Sequence, residues 1–474
     1  MVATSPVPCP TATQGVARLD MNLNPHVGRP GTPDVVDSVD CTPVGDLAYP
    51  SDLAERVLDR WRQARTAGQL DLPPPASTDL ATVLSVCYHA TLLREEGRPV
   101  TFRLALSEPG AFDATAGPPS GLHRLVFARP LPLDQHELRR LAPAAAFSRS
   151  LIGASSAGQG IWGIIHSGPQ WLQIVRGGRA TEQTVPKVPI VAATGPGRLL
   201  VSVGAIVLAE LRDGRLSGGE MDIFEARWMQ RRLAEADRVQ RAAHLADREG
   251  AADPWAEIDS MFGTVLAGHV LRRVLATVRA AQHGGTLILI PRERVSEFLS
   301  DGRYVQVKYA FDDEEPRKRI LTLMTAITNE LARAERATAS TIGWHAYETS
   351  RARQLIEMDE ALFEVAHLVA DLARVDGAVL LTDALEVLGF GVEIAGELPE
   401  VSRVARAHDL DATARTWVRT DRVGTRHRSA YRLCQAVRDA LALVVSQDGG
   451  LRFIRWHDQG VAYWEQIATG PWEG

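Results

Sequence analysis

Apolar positions first fall into helical spacing at Leu53, Val57, Leu58 and Trp61, behind Ser51 as a cap, and again at Leu80, Val83, Leu84, Cys87 and Leu92 behind Ser77. Residues three and four apart share a helix face, so two amphipathic helices are expected, the second ending at Gly97. The period then drops to two. Residues 99–106, 125–128, 199–203 and 205–211 read as strands, and 161–166 with 171–175 predict a hairpin across Ser167-Gly168-Pro169. Residues 46–215 are therefore expected to form an α+β unit. Residues 1–45, rich in proline and without apolar periodicity, read as a flexible tail.

Between 216 and 261 the pattern predicts a helical linker. Its charged helix, 220–248, carries Phe224, Trp228, Leu233, Val239 and Leu245, a set too sparse for a buried helix face. From 262 to 474 helix and strand alternate. A helix over 255–281 ends at Gly284-Gly285, and 286–290 is a short apolar run suited to a buried strand. A charge-dense stretch, 312–319, leads into helix through 334, and 355–374 turns Leu355, Met358, Leu362, Val365, Val369 and Leu372 to one side. Strands follow at 378–381 and 384–394, then a helix at 429–441 and strands at 442–446 and 451–456. The fold class is mixed α/β: a central mixed sheet flanked by helices, preceded by the α+β unit and the linker.

Length and composition narrow the function classes. A chain of 474 residues fits two to three domains, and 45% apolar with 23% charged residues excludes disorder throughout. The net charge of −6 has the wrong sign for a surface devoted to nucleic acid. Cys9, Cys41, Cys87 and Cys434 form no C-x-x-C pair, so neither a zinc site nor a disulfide framework is expected. The N-terminus lacks a secretory pattern, and the longest apolar run, 199–211, contains Glu210 and falls short of the roughly 20 residues a membrane helix needs. The expectation is a cytoplasmic protein with no membrane and no nucleic-acid partner.

The chain holds no Gly-Lys dipeptide and hence no phosphate loop of the Walker type, and no H-E-x-x-H. Gly389-Phe390-Gly391 and the 153–158 segment miss the dinucleotide and nucleophile-elbow patterns and read as close backbone packing. Two constellations remain. Asp376-Gly377-Ala378 stands where a long helix hands over to a strand, with a carboxylate at the sheet edge; taken alone, it is also an ordinary polar turn. Gly424-Thr425-Arg426-His427-Arg428-Ser429-Ala430 opens a helix. Unpaired N–H groups, the positive end of the dipole, two hydroxyls and two guanidiniums make this a phosphate site in chemical terms, the bland alternative being a solvated basic face. His89, His166, Trp162 and Trp171 either line a pocket in the α+β unit or pack its core.

Asp376-Gly377-Ala378 on a helix-to-strand junction, then Gly424 to Ala430 opening a helix, then Val444-Val445-Ser446 closing a strand, resembles the diadenylate cyclase (DAC) domain over residues 262–474. That family makes cyclic di-AMP from two ATP molecules. The resemblance implies a nucleotidyltransferase in which Asp376 binds a divalent cation, Mn²⁺ or Mg²⁺, and activates the ribose 3′-hydroxyl. It further implies that Gly377, Ala378 and Ile394 line the nucleotide, and that Gly424, Thr425, Arg426, His427, Arg428, Ser429 and Ser446 serve the phosphates. Asp448 stands where some members have a metal-binding glutamate, one methylene longer. Catalysis in the family needs two protomers face to face, so a homodimer or higher even oligomer is implied. The 46–215 unit resembles sensor domains that precede some of these cyclases, with an unknown ligand. A non-catalytic adenine-nucleotide receptor is the alternative function.

Overall fold

The structure, a computed structural model, describes residues 47–466 apart from 114–116, 119–120, 157, 159, 169–170, 172–185, 205, 213, 219–220, 253, 282, 301, 335–340, 351 and 448. The expected tail at 1–45 lies outside these residues. The N-terminal half runs α1 (Pro50–Thr66), α2 (Ser77–Thr91), β1 (Arg94–Glu95), β2 (Arg98–Pro99), β3 (Phe102–Leu106), β4 (His123–Leu131), α3 (Gln135–Leu141), β5 (Ser150–Ala154), β6 (Ile161–His166), β7 (Pro189–Gly195), β8 (Arg198–Val203), β9 (Ile206–Arg212) and β10 (Arg215–Gly218). Among the described residues its main sheet has the order β10-β9-β8-β7-β3-β5-β6-β4, with β3 and β5 its one parallel pair. The apolar stripes of α1 and α2 cover one face, placing Leu53, Val57, Trp61, Leu80, Leu84 and Cys87 against Phe102, Leu104, Ile152 and Val201. Each such side chain, fully buried, contributes about 1.5–3 kcal/mol.

Two expectations change here. The strand predicted from 99 starts at Phe102, and the hairpin of 161–166 with 171–175 does not form as expected, because β4 and β5 occupy both edges of β6. Residues 172–175 lie outside the described set. Trp162 and Trp171 are core residues of the second sheet face, beside Phe112 and Ile165. His166 Nδ1 lies 2.9 Å from Ser150 Oγ.

The C-terminal half runs α4 (Arg227–Glu249), β11 (Glu257–Ile258), α5 (Phe262–Ala280), β12 (Gly285–Ile290), α6 (Val295–Ser300), β13 (Val305–Ala310), α7 (Glu314–Ala334), β14 (Thr341–Ile342), α8 (Trp344–Thr349), α9 (Arg353–Leu372), β15 (Ala378–Thr382), β16 (Val387–Ile394), β17 (Arg403–Ala407), β18 (Arg415–Arg419), α10 (Thr425–Ala436), β19 (Leu441–Val445), β20 (Leu451–His457) and β21 (Gly460–Gln466). A mixed sheet of order β13-β16-β15-β12-β19-β20-β21-β17-β18 forms its centre. Leu287, Leu289, Val379, Leu381 and Leu443 face α4, α5, α7 and α9 on one side. Alternate residues face the other way: Ile288, Ile290 and Leu380 meet α6 and the C-terminal turn of α10, while Ala442, Val444 and Ile454 meet Ala430, Tyr431 and Cys434 of α10. The molecule is thus a mixed α/β fold with an α+β half preceding an α/β half. Among the described residues no helix is long and apolar enough to cross a membrane.

The helix expected over 220–248 as a solvated connection is instead packed into the C-terminal core. Met229, Leu233, Ala236, Gln240 and His244 form its buried stripe at spacings of three and four, and apolar counting missed the stripe because two of its members are polar. His244 Nδ1 is 2.6 Å from Asn329 Oδ1 on α7, which answers the polarity. The helix expected from 255 begins at Phe262, the preceding residues pairing as β11 with β14.

A buried ion pair pins α5 to α9. The Arg273 guanidinium, on a fully buried side chain, donates to Asp359 Oδ1 at 2.8 Å, and Tyr347 Oη donates to the same oxygen at 2.6 Å. Removing that carboxylate with Asp359→Ala is expected to cost about 3–5 kcal/mol, since the buried cation loses its anion. Equilibrium urea unfolding checks this, and an unchanged midpoint would discard the pair as a stabilising element.

Candidate nucleotide site

The site candidates collect at one end of the larger sheet because of strand direction. β12 and β15 are parallel, whereas β16 and β19 run opposite to them. The beginnings of β12 and β15 therefore share an edge with the ends of β16 and β19. Gly285 pairs with Val445, and Ala378 with Val392. Asp376, Gly377, Ile394, Gly284 and Ser446 thus border four adjacent strands. Leu287 opposes Val379 in parallel register, so Gly284 and Asp376, which precede β12 and β15, lie at the same end of the sheet.

Asp376 is exposed, as expected of a carboxylate at a sheet edge. Gly377 turns the chain into β15 at φ +113°, and a Cβ there would come within 2.7–2.9 Å of backbone atoms of Gly391 and Val392. Ala378 is buried, and half-buried Ile394 packs on the cluster of Ile288, Phe298 and Val305. Lys308, on the edge strand β13, pairs with Glu393 at 2.5 Å. Its ammonium is held above the usual lysine range mainly by Glu393, with Asp376 adding to the effect, so Lys308 belongs to the electrostatic surroundings of Asp376.

The second stretch supplies the first turn of α10, one turn earlier than the helix start read from the sequence. Gly424 is the N-cap in extended conformation, and a Cβ on it would meet nothing within 4 Å, so its place here is a cap and not a close approach. Thr425, Arg426 and Arg428 are exposed, while His427 and Ser429 are half-buried. No acidic residue occupies this turn, which leaves the helix dipole and the cations uncountered within it. Tyr431, buried one turn on, lies with its ring 6.4 Å from that of His427. Burial pushes the Tyr431 hydroxyl up to about 12, so it stays neutral and accepts from Arg452 Nη1 at 3.3 Å.

One contact ties the helix start to this end of the sheet. Arg426 reaches back over the start of β12, donating from Nη1 to His283 O at 3.2 Å. It occupies the space above Gly284, where a Cβ would stand 2.6 Å from that nitrogen and 2.7 Å from Val445 O. Ser446 caps the end of β19: its N–H and hydroxyl donate to Gly450 O at 2.8 and 3.1 Å. Asp448 lies outside the described residues. The structure therefore brings Asp376, Gly377, Ala378, Ile394, Ser446 and Arg426 to one sheet edge, with Gly424, Thr425, His427, Arg428 and Ser429 on the same helix start. Sequence inspection took Gly284 only as a helix stop and missed Lys308; the glycine pair after a helix was the one signal available.

Among the described residues no group of three or more His, Cys, Asp or Glu side chains is arranged to hold a metal ion. Asp376 supplies one exposed, hard oxygen donor. That fits a Mg²⁺- or Mn²⁺-type cation that shares its coordination with nucleotide phosphates, and not a preformed protein cage. The most displaced carboxyl among the described residues, Asp383, sits at the other end of β15, where burial pushes it up to about 6 against the pull of Arg232 at 2.6 Å.

A family model described as Probable sensor domain DACNV matches residues 69–166, from the approach to α2 through β6. DACNV is the N-terminal sensor domain of diadenylate cyclases, and the match lies wholly within the α+β half. No curated protein matches the chain.

Proposed function

We propose that the chain is a diadenylate cyclase that condenses two ATP molecules into cyclic di-AMP and two pyrophosphates, under the control of its N-terminal sensor domain. The observation that carries this reading is the reach of Arg426 over Gly284, which sets a cationic helix start beside the strand edge bearing Asp376. The sensor-domain match in the other half of the chain supports the same reading.

In this reading Asp376 accepts the proton of a ribose 3′-hydroxyl, and the oxygen forms a bond to the α-phosphorus of the ATP held by a second copy as the bond to pyrophosphate breaks. Arg426, His427 and Arg428, together with the N–H groups opening α10, hold the phosphates and offset the charge that builds on the departing pyrophosphate. Thr425, Ser429 and Ser446 add hydroxyl donors, Gly377, Ala378 and Ile394 line the nucleotide, and Gly424 caps the helix whose N–H groups face the phosphates. Asp376 would hold a divalent cation, which would supply further charge neutralisation at the phosphates. Because each copy presents one hydroxyl and one triphosphate, turnover requires a homodimer or a higher even oligomer.

The test is incubation of the full chain with ATP and Mn²⁺ or Mg²⁺, followed by mass spectrometry of the products. Cyclic di-AMP with two equivalents of pyrophosphate is expected; bound but unconsumed ATP would replace this reading with that of a nucleotide receptor. Arg426→Ala is expected to weaken ATP binding about 10- to 100-fold, the size of a charge-assisted hydrogen bond to phosphate. Titration calorimetry measures it, and unchanged affinity would remove Arg426 from the phosphate site.

A further inference from the structure

The N-terminal sheet approaches the nucleotide edge at the tip of its β9–β10 hairpin. Arg212 ends β9 and Arg215 begins β10, and the two are directly opposed, so both lie on one face of the hairpin. The tip is braced from behind by Ala48, whose N–H donates to Gly214 O at 2.9 Å. In front of it lies the turn that joins β19 to β20: a Cβ on Gly449 would stand 3.6 Å from Arg212 Nη2 and 3.6 Å from Arg279 Nε. This is the turn that Ser446 opens, closed by the bonds from Ser446 N to Gly450 O and from Gly449 N to Ser446 O at 2.8 and 2.9 Å.

Arg215 acts a few residues further on, its charge bearing on buried Tyr463 of β21. The Tyr463 ring lies 6.2 Å from that of Tyr431, which in turn neighbours His427. The hairpin thus meets the Ser446 turn, and the charge of Arg215 bears on the aromatic support of the α10 helix start. The charged helix α4 is tied elsewhere. Its Arg232 binds Asp383 at 2.6 Å, at the end of β15 remote from Asp376.

We propose that Arg212 is a positioning residue for the nucleotide site: it holds the 446–450 turn in place from the N-terminal sheet, and through it the state of that sheet sets the affinity for nucleotide. The guanidinium suits this because Gly449, which carries no side chain, lets it lie close against the turn. Occupation of the N-terminal domain that shifts β9 by a fraction of a hydrogen-bond length then reaches Ser446 without any movement of α4. The inference rests on the nucleotide reading of Ser446 only in its last step. The placement of the turn is independent of it.

The experiment uses the full chain as wild type, Arg212→Ala and Arg212→Lys, with hydrogen exchange of the peptide covering 444–452 as the first readout. Arg212→Ala is expected to speed exchange of the Ser446 and Gly449 amides about tenfold and to raise KM for ATP about fivefold or more with kcat changed less than about threefold, as loss of the side chain packed on Gly449 implies. Arg212→Lys, which keeps the charge but not the guanidinium, is expected to fall between the two and serves as the exchange readout if the alanine variant does not fold. Unchanged exchange at 446–450 overturns the proposal whatever the activity. Absence of cyclic di-AMP from the wild type overturns the cyclase reading instead, and leaves the exchange result to decide the role of Arg212.

Discussion

Asp376→Asn is expected to lower cyclic di-AMP formation by about 10³-fold, the usual worth of a positioned general base, while ATP affinity stays within about threefold. The substitution keeps the side-chain volume and removes the charge and the ability to take a proton. Asp376 is exposed and buries nothing, so the fold does not depend on it, and the variant should melt with the wild type. Lys308, whose charge Asp376 influences, retains Glu393 at 2.5 Å and so keeps its main partner. Removing a negative charge from the vicinity of a triphosphate also gives no reason for weaker binding of metal-free ATP. Loss of turnover with retained affinity is therefore the signature of a group acting on the reacting hydroxyl. Product quantification by mass spectrometry, beside calorimetric titration with ATP in chelator, measures the two effects separately. Turnover within tenfold of wild type would exclude Asp376 as the base, and a parallel fall in both quantities would reassign it to binding.

The local components of this edge were legible in the sequence, and their meeting was not. The handover from α9 to β15 stood out because six apolar residues at helical spacing give way to a continuous apolar strand just after Asp376-Gly377, and both elements formed as expected. The cationic helix start was equally plain, although the helix begins at Thr425 because extended Gly424 caps it. The bond from Arg426 to His283 O spans 143 residues, and no periodicity reports a contact of that kind. Strands β17 and β18 escaped notice because R-V-A-R-A and R-T-W-V-R are short and arginine-rich: Arg403 and Arg406 fall on opposite faces of β17 and break its alternation, and β18 lies at the sheet edge. The α4 helix was misjudged for the opposite reason, since Gln240 and His244 are buried while apolar Leu245 is exposed. Hydrophobicity reports burial only where polar groups find no partner, and here Asn329 provides one for His244.

Gly377→Ala is expected to be the most damaging of the small substitutions at the site, lowering stability by about 3 kcal/mol from backbone strain and overpacking together. Its φ of +113° is one that L side chains rarely adopt. Space is lacking as well, because the added methyl would meet Gly391 C at 2.7 Å, Val392 N at 2.8 Å and Val392 O at 2.9 Å, all of them backbone atoms that cannot swing aside. The pairing of β15 with β16 shifts register just after this glycine, between Ala378 and Leu380. Relief would require β16 to move outward, carrying Ile394 and Glu393 with it and changing the surroundings of Lys308 and Asp376. Urea unfolding should show a lower midpoint with an unchanged slope, and the folded fraction should be defective in any activity that uses this edge. Gly424→Ala is the control, for φ there is ordinary and nothing lies within 4 Å of the added carbon, so its cost should stay within about 1 kcal/mol. Equal stability of Gly377→Ala and wild type would mean that β15 and β16 do not approach as closely as the backbone contacts around Gly377 require.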